Sequence, residues 1–391
     1  MEELKPVPPA PKKKPNIFVR LLAFLVTLAL LLGAVAAVVY RDRLNFDSIR
    51  RWFVYRSLEK SDSGQTESFQ YGSAGKGGYS RVGDDLLVWS TAGVRLYSSG
   101  GVEYLNESLT LNRPVADTCG SAALIYDAGG NVLHTYEDRS TSFVLNTEQG
   151  HEILSARMGP GGSFAVTTRE SGYKGVVTVY SSGGHPVVGI RISTRFVTDG
   201  LLSDDGKTVA VLTVGQNEDV FESGLDLYAL DGDVPFASYS LGNNAILDLR
   251  ADGSAFWALG ESSLSVARAD GSAAVHYDYA GRYLKDYALE GDGFSALLLG
   301  KYRAGSGAAL VTVGADGQEL ASLDLEDQVL DLDASGRYVA VLTAAGLTLY
   351  TKDLQLYDAL ENTMGARSVV LRSDGTAFLV GGETARLYIP G

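Results

Sequence analysis

Ile246-Leu247-Asp248-Leu249-Arg250-Ala251-Asp252-Gly253 and Val329-Leu330-Asp331-Leu332-Asp333-Ala334-Ser335-Gly336 are two copies of one phrase, an alternating strand that ends in a glycine turn. A period of two marks a strand with one face buried. The same turn recurs at Gly83, Gly120, Gly162, Gly206, Gly253, Gly293, Gly336 and Gly375, at spacings of 37, 42, 44, 47, 40, 43 and 39 residues. Self-similarity at such a period indicates one supersecondary unit repeated along the chain.

The rest of each unit keeps step. A second, strongly apolar strand follows the glycine, as in Leu86-Leu87-Val88-Trp89, Val209-Ala210-Val211-Leu212 and Val339-Ala340-Val341-Leu342. A third often ends in tyrosine, as in Val94-Arg95-Leu96-Tyr97 and Leu225-Asp226-Leu227-Tyr228. Hairpin turns then come at Ser99-Gly100-Gly101, Ser182-Gly183-Gly184, Asp231-Gly232, Asp270-Gly271 and Asp316-Gly317. Gly-Gly and Asp-Gly reach positive φ at low steric cost and suit tight hairpins. Four strands per unit of this length predict an all-β fold, a β-propeller of four-stranded blades.

Eight units are expected, with seven as the alternative if the irregular region 79–150 forms only one. The last unit has room for three strands, Ser368–Leu371, Thr376–Val380 and Ala385–Ile389. Glu67-Ser68-Phe69-Gln70-Tyr71 has no unit of its own, so it is expected to supply the fourth strand of the last blade. Such closure leaves neither end of the ring with an unpaired edge.

Charge is unevenly placed along the 391 residues. Residues 1–60 hold eleven Lys/Arg against five Asp/Glu, a balance of +6, and residues 61–391 hold twenty-two against forty-two, a balance of −20. An acidic body repels phosphate backbones, so no nucleic-acid partner is expected. The single cysteine, Cys119, excludes an internal disulfide and a Cys-based zinc site, and in its strand it reads as a small buried hydrophobe. No cofactor is expected.

The N-terminal end reads differently. Residues 1–16 form a basic Pro/Lys-rich tail that cannot build a core and is expected to be disordered, and Leu21 to Tyr40 run uncharged for twenty residues. At ~1.5 Å per residue that run spans a ~30 Å hydrocarbon layer, so one N-terminal transmembrane helix is expected over 17–40. Ala34-Val35-Ala36 has the form of a signal-peptidase site, which leaves cleavage after Ala36 as the alternative to a retained anchor. Basic residues flank both ends of the span, so the charge count leaves orientation open. An outside body is expected because a short basic tail before an apolar segment is how export signals are built.

Residues 41–66 then read as an amphipathic stem and linker, ahead of a propeller over 67–391. Phe46, Ile49 and Phe53 share a helical face, with Arg43, Asp47, Arg50 and Arg51 mostly elsewhere on the wheel. Trp52 and Tyr55 suit a membrane interface beside Arg43, Arg50 and Arg51. A helix docked on the body fits the same period.

Leu202-Ser203-Asp204-Asp205-Gly206-Lys207-Thr208-Val209-Ala210 resembles the Ser-Pro-Asp-Gly-Lys turns of bacterial WD40-like propellers, with the proline replaced. Ser48-Ile49-Arg50-Arg51-Trp52-Phe53-Val54-Tyr55-Arg56, between the apolar run and the propeller, is similar to an uncharacterised family of membrane-anchored bacterial propellers. That resemblance implies fold and location. It lends no catalytic residues.

Signatures of chemistry are sparse. His134, His151, His185 and His276 fall in different units without metal-ligand spacing, and nothing marks a nucleophile elbow. Asp331 to Leu342 mimics a calcium loop but has leucine where a bidentate acid is required. Gly72 to Gly78 is glycine-rich around Lys76 but lacks the Ser/Thr and the helix of a phosphate loop, so it reads as a flexible connection.

One set of residues repeats in register. Asp117, Asp199, Asp248, Asp286 and Asp331 each stand two residues after the apolar residue that opens a first strand, and Ser155 takes that place in the third unit. First strands line a propeller's channel, so these side chains form either a partial acidic ring for a cation, sugar or basic peptide, or a set of acceptors bonded to neighbouring blades. No metal site is assigned to them. The function expected is a single-pass extracytoplasmic scaffold or sensor with a protein partner at the cell envelope and no catalytic activity. A binding module for a cell-wall glycan, small ligand or cation is the alternative, and a carboxylate-based hydrolase or lyase a third.

Overall fold

The computed structural model describes residues 21–28, 31, 46–72, 76–217, 219–305 and 307–391. The chain divides into two compact units, Met1–Tyr55 and Arg56–Gly391. In the first unit, residues 21–28 are helical with exposed apolar side chains such as Leu22 and Phe24. No helix among the described residues is long and apolar enough to cross a membrane. The tail 1–16, most of the expected span and Arg43 lie outside the described residues.

The expected stem is a helix, Phe46–Tyr55. Its faces differ from the expected division. Trp52, Phe53 and Val54 are exposed, while Arg51 and Tyr55 are buried. The Arg51 guanidinium turns back to donate to Ser48 Oγ at 3.0 Å, one helical turn earlier, so its charge does not mark an outward face.

The second unit is an eight-bladed propeller; each blade is a four-stranded antiparallel sheet. The first strands are Gly77–Val82, Pro114–Cys119, Ile153–Met158, Phe196–Leu202, Ile246–Asp252, Tyr283–Gly291, Val329–Ser335 and Ser368–Leu371, numbered here as blades 1 to 8. These strands touch one another around the ring, blade 8 meeting blade 1. Residues 79–150 build two blades, which removes the seven-blade alternative.

All eight first-turn glycines have positive φ, from 57° at Gly336 to 83° at Gly375. Gly336 has a second constraint: a Cβ there would lie 2.6 Å from the Ser373 carbonyl oxygen of the next blade. Closure follows the expected route. Phe69–Gln70 pairs with Thr384–Tyr388 as the outer strand of blade 8. Tyr71 seals the seam, donating from its hydroxyl to Gly381 O at 2.7 Å and sharing a 2.7 Å hydrogen bond with Tyr79 of blade 1.

The core is distributed between blades. Leu87, Val94 and Ile125 fill the gap between blades 1 and 2, and clusters of the same kind fill the gaps on to Leu342, Leu349 and Leu379 between blades 7 and 8. Each second strand is therefore apolar on both faces.

Two sequence expectations need correction. Cys119 is half-buried, and burial pushes its thiol pKa up. Gly77 and Gly78 are not a flexible connection but the start of blade 1, paired with Ser90 and Trp89. A Cβ on Gly78 would meet the Trp89 ring at 2.5 Å, so glycine there serves close packing. Residues 73–75 lie outside the described residues.

Candidate functional site

The register-matched polar positions do converge on the channel wall, and a repeated backbone irregularity aims them. In blades 3 to 7 the pairing with the second strand shifts between Ile153 and Ser155, Val197 and Asp199, Ile246 and Asp248, Leu284 and Asp286, and Val329 and Asp331. Such a β-bulge re-aims the side chain that follows it. Blade 2 reaches Asp117 without one.

The channel splits into two halves. In blades 2 to 5, Arg157 Nη2 donates to Asp199 Oδ2 at 2.7 Å and to Asp248 Oδ1 at 2.8 Å, and Arg157 Nη1 lies 3.7 Å from Asp117 Oδ1. Ser155 Oγ donates to Asp199 Oδ1. Arg250 crosses the channel to Asp117 and lies 3.6 Å from Asp248 and 3.8 Å from Glu290. Arg81 of blade 1 pairs with Glu290 at 3.1 Å and donates to Ser335 Oγ. Three guanidiniums thus meet four carboxylates.

These pairs set the charge states. Burial disfavours the Arg157 cation, yet Asp199, Asp248 and Asp117 outweigh it and hold its pKa well above the ordinary value. Burial likewise opposes ionisation of Asp248, but Arg250 and Arg157 hold its pKa below the usual carboxylate range. The void beside Asp117, Arg157 and Arg250 is about 40 Å³, room for water but not for a sugar or peptide.

Asp286 of blade 6 and Asp331 and Asp333 of blade 7 form the other half. Asp331 Oδ2 accepts from Val369 N at 2.8 Å and Asp333 Oδ2 from Leu371 N at 2.7 Å, both on blade 8. Asp286 accepts from the amide of its chain neighbour Tyr287 at 2.8 Å. Among the described residues none of the three has a salt bridge. Burial raises the pKa of all three; Asp331 is pushed up to about 6, and nearby Glu290 adds to the rise at Asp333. Here Asp331 and Asp333 staple blade 7 to the amides of blade 8.

The six polar positions therefore share a wall but form no open acidic ring. Among the described residues no group of three or more His, Cys, Asp or Glu is placed to hold a metal ion. A Ser–His hydrogen bond does form, between Ser265 Oγ and His276 Nδ1 at 2.7 Å, but Ser265 is buried and out of reach of a substrate.

Arg81, Arg157, Arg250, Glu290 and Asp333 were missed from sequence. The signal was available. Arg157, Arg250 and Asp333 stand two residues beyond Ser155, Asp248 and Asp331, and a strand returns to the same face every second residue.

Residues 54–357 match a family of unknown function, DUF5711. No curated protein matches in sequence. Among solved structures the propeller is similar to the computationally designed Ika8 protein, with 12% identity, TM-score 0.55, and 85% of this chain and 98% of that one covered. It is also similar to the C-terminal WD40 domain of Sif2, with 12% identity, TM-score 0.55, and coverage of 79% and 93%. Apo AztD from Citrobacter koseri matches with 11% identity, TM-score 0.54, and coverage of 78% and 90%. At these identities the likeness is one of fold.

Proposed function

The chain belongs to the DUF5711 family of unknown function, and we propose that it is a membrane-anchored extracytoplasmic scaffold or sensor that binds a protein partner at the cell envelope. One observation carries the binding reading. Val115, Phe196, Leu247, Tyr283 and Leu330 are all exposed where first strands open, on the face that also carries the loops between second and third strands. Exposed apolar side chains gathered around a channel mouth mark a contact surface, and the channel behind them is crossed by its own ion pairs.

The anchor rests on the uncharged run from Leu21 to Tyr40 behind a basic tail. Protease added to intact protoplasts should digest the body, and photo-crosslinkers at Leu247 or Leu330 should trap a protein. Protection of residues 61–391 until lysis overturns the exported reading. No adduct above background at either position overturns the scaffold.

A further inference from the structure

A cleft of about 480 Å³ opens on that same face between blades 3 and 4. Leu154, Arg169, Tyr173, Lys174, Phe196 and Val197 line it. Its volume falls in the range of ordinary ligand pockets. The cleft is held in shape by backbone contacts. The loop between Phe164–Thr168 and Gly175–Tyr180 is tied to its own blade through Lys174 N to Ile192 O at 2.7 Å and to the next through Val197 N to Lys174 O at 3.3 Å. Gly175 permits the approach, since a Cβ there would lie 2.5 Å from Val197 Cβ.

Two features stand out in a body whose balance over 61–391 is −20. Arg169 and Lys174 are exposed and have no carboxylate partner among the described residues; the Lys174 ammonium lies 4.8 Å from the centre of the Phe196 ring. Glu170 shares the rim, accepting from Thr168 Oγ1 at 3.4 Å. Tyr173 is 43% exposed and Phe196 58%. Beside them the hairpin Thr208–Asn217 and Val220–Ala229 runs three residue pairs past the level of Phe196, about 10 Å at ~3.3 Å per residue. Arg195 braces it by pairing with Glu222 at 2.9 Å, and Val220 and Phe221 are exposed at its tip.

From this juxtaposition we propose that the cleft binds a short peptide segment of the partner in which a carboxylate adjoins an aromatic or aliphatic side chain. This inference rests on the scaffold reading and names the partner's chemistry. The Arg169 guanidinium and the Lys174 ammonium both line the cleft, and each offers a carboxylate charge-assisted hydrogen bonds there. The apolar side chains of Leu154 and Phe196 take the neighbouring side chain. A polyanion is disfavoured, because every charge beyond the first meets the acidic body within about one Debye length, ~8 Å.

The test is selection of a displayed random-peptide library on the full-length chain in detergent micelles, in parallel on Arg169→Gln/Lys174→Gln. Both side chains are exposed, so the variant is expected to keep the parent's circular dichroism and Tm. Peptides enriched on the parent should carry Asp, Glu or a free C-terminus within two residues of an apolar side chain. By fluorescence anisotropy they should bind the double variant at least tenfold more weakly, and Phe196→Ala several-fold more weakly. Enriched peptides without a carboxylate, or bound equally by the double variant, overturn the proposal. So does trigalacturonate binding to the parent but not to the double variant, which assigns the cleft to a glycan. Failure here is separable from failure of the scaffold: a protein adduct trapped equally by parent and double variant leaves the scaffold standing and removes only the cleft.

Discussion

Asp248 and Asp331 stand at the same place in their blades, each behind the same bulge. Their charge states are driven in opposite directions, Asp248 below the usual carboxylate range and Asp331 up to about 6. The repeat fixes where the carboxylate points; the side chains that surround it decide its state. Asp248 faces Arg250 and Arg157, whereas Asp331 is raised chiefly by burial, with Asp286 adding to the rise. One repeated backbone thus supports an ion-paired half and an acid half of the same channel.

The largest effect should come from removing the cation that serves three blades. Arg157→Met leaves Asp199 and Asp248 without their closest cation and Asp117 with Arg250 alone. Stranding buried charge in this way costs about 3–5 kcal/mol, so thermal unfolding followed by circular dichroism should show a drop in Tm on the order of 5–10 °C. A variant as stable as the parent would mean that the lattice is incidental to the ring.

Exchanging one oxygen in each half sharpens the contrast. Asp248→Asn removes a charge that two arginines face, and a loss of about 1–3 kcal/mol is expected. Asp331→Asn keeps an acceptor for the Val369 amide and deletes a charge that burial disfavours, so at pH 7 it should gain about 1 kcal/mol. Urea unfolding at pH 7 measures both. Two shifts of the same sign would erase the distinction between the halves.

Much of the architecture is legible in the sequence. The glycine period marked every first turn, and the unit that ran one strand short pointed to the segment that closes the ring. Both are local signals, carried by backbone conformations that few residues adopt. The Asp positions were legible for the same reason, as a register in a repeat. Their partners were harder to see, because Arg250 meets Asp117 across 133 residues of sequence and only the closed ring brings them together. At Arg51 composition misled: a charged side chain that turns back along its own helix to Ser48 need not face water. The basic cleft was hidden because Arg169 and Phe196 belong to different blades.

The finest discrimination lies in pH. Asp331 has a folded pKa of about 6 against an unfolded value of about 4, so between those limits the native state holds more protons than the unfolded chain. Stability from this group is therefore full below pH 4 and lost as pH rises through 6, and burial at Asp286 and Asp333 pushes the same way. Asp248 runs opposite: its folded pKa is depressed, so its contribution is full above the unfolded value and lost as pH falls through the lower folded one. Asp331→Asn should flatten the fall in stability between pH 4 and 7 and leave the acid limb unchanged. Asp248→Asn should flatten the acid limb below pH 4 and leave the neutral slope unchanged. Urea midpoints taken at half-unit steps from pH 3 to 8 separate the two windows. If both substitutions altered the same window, the two halves of the channel would be titrating as one.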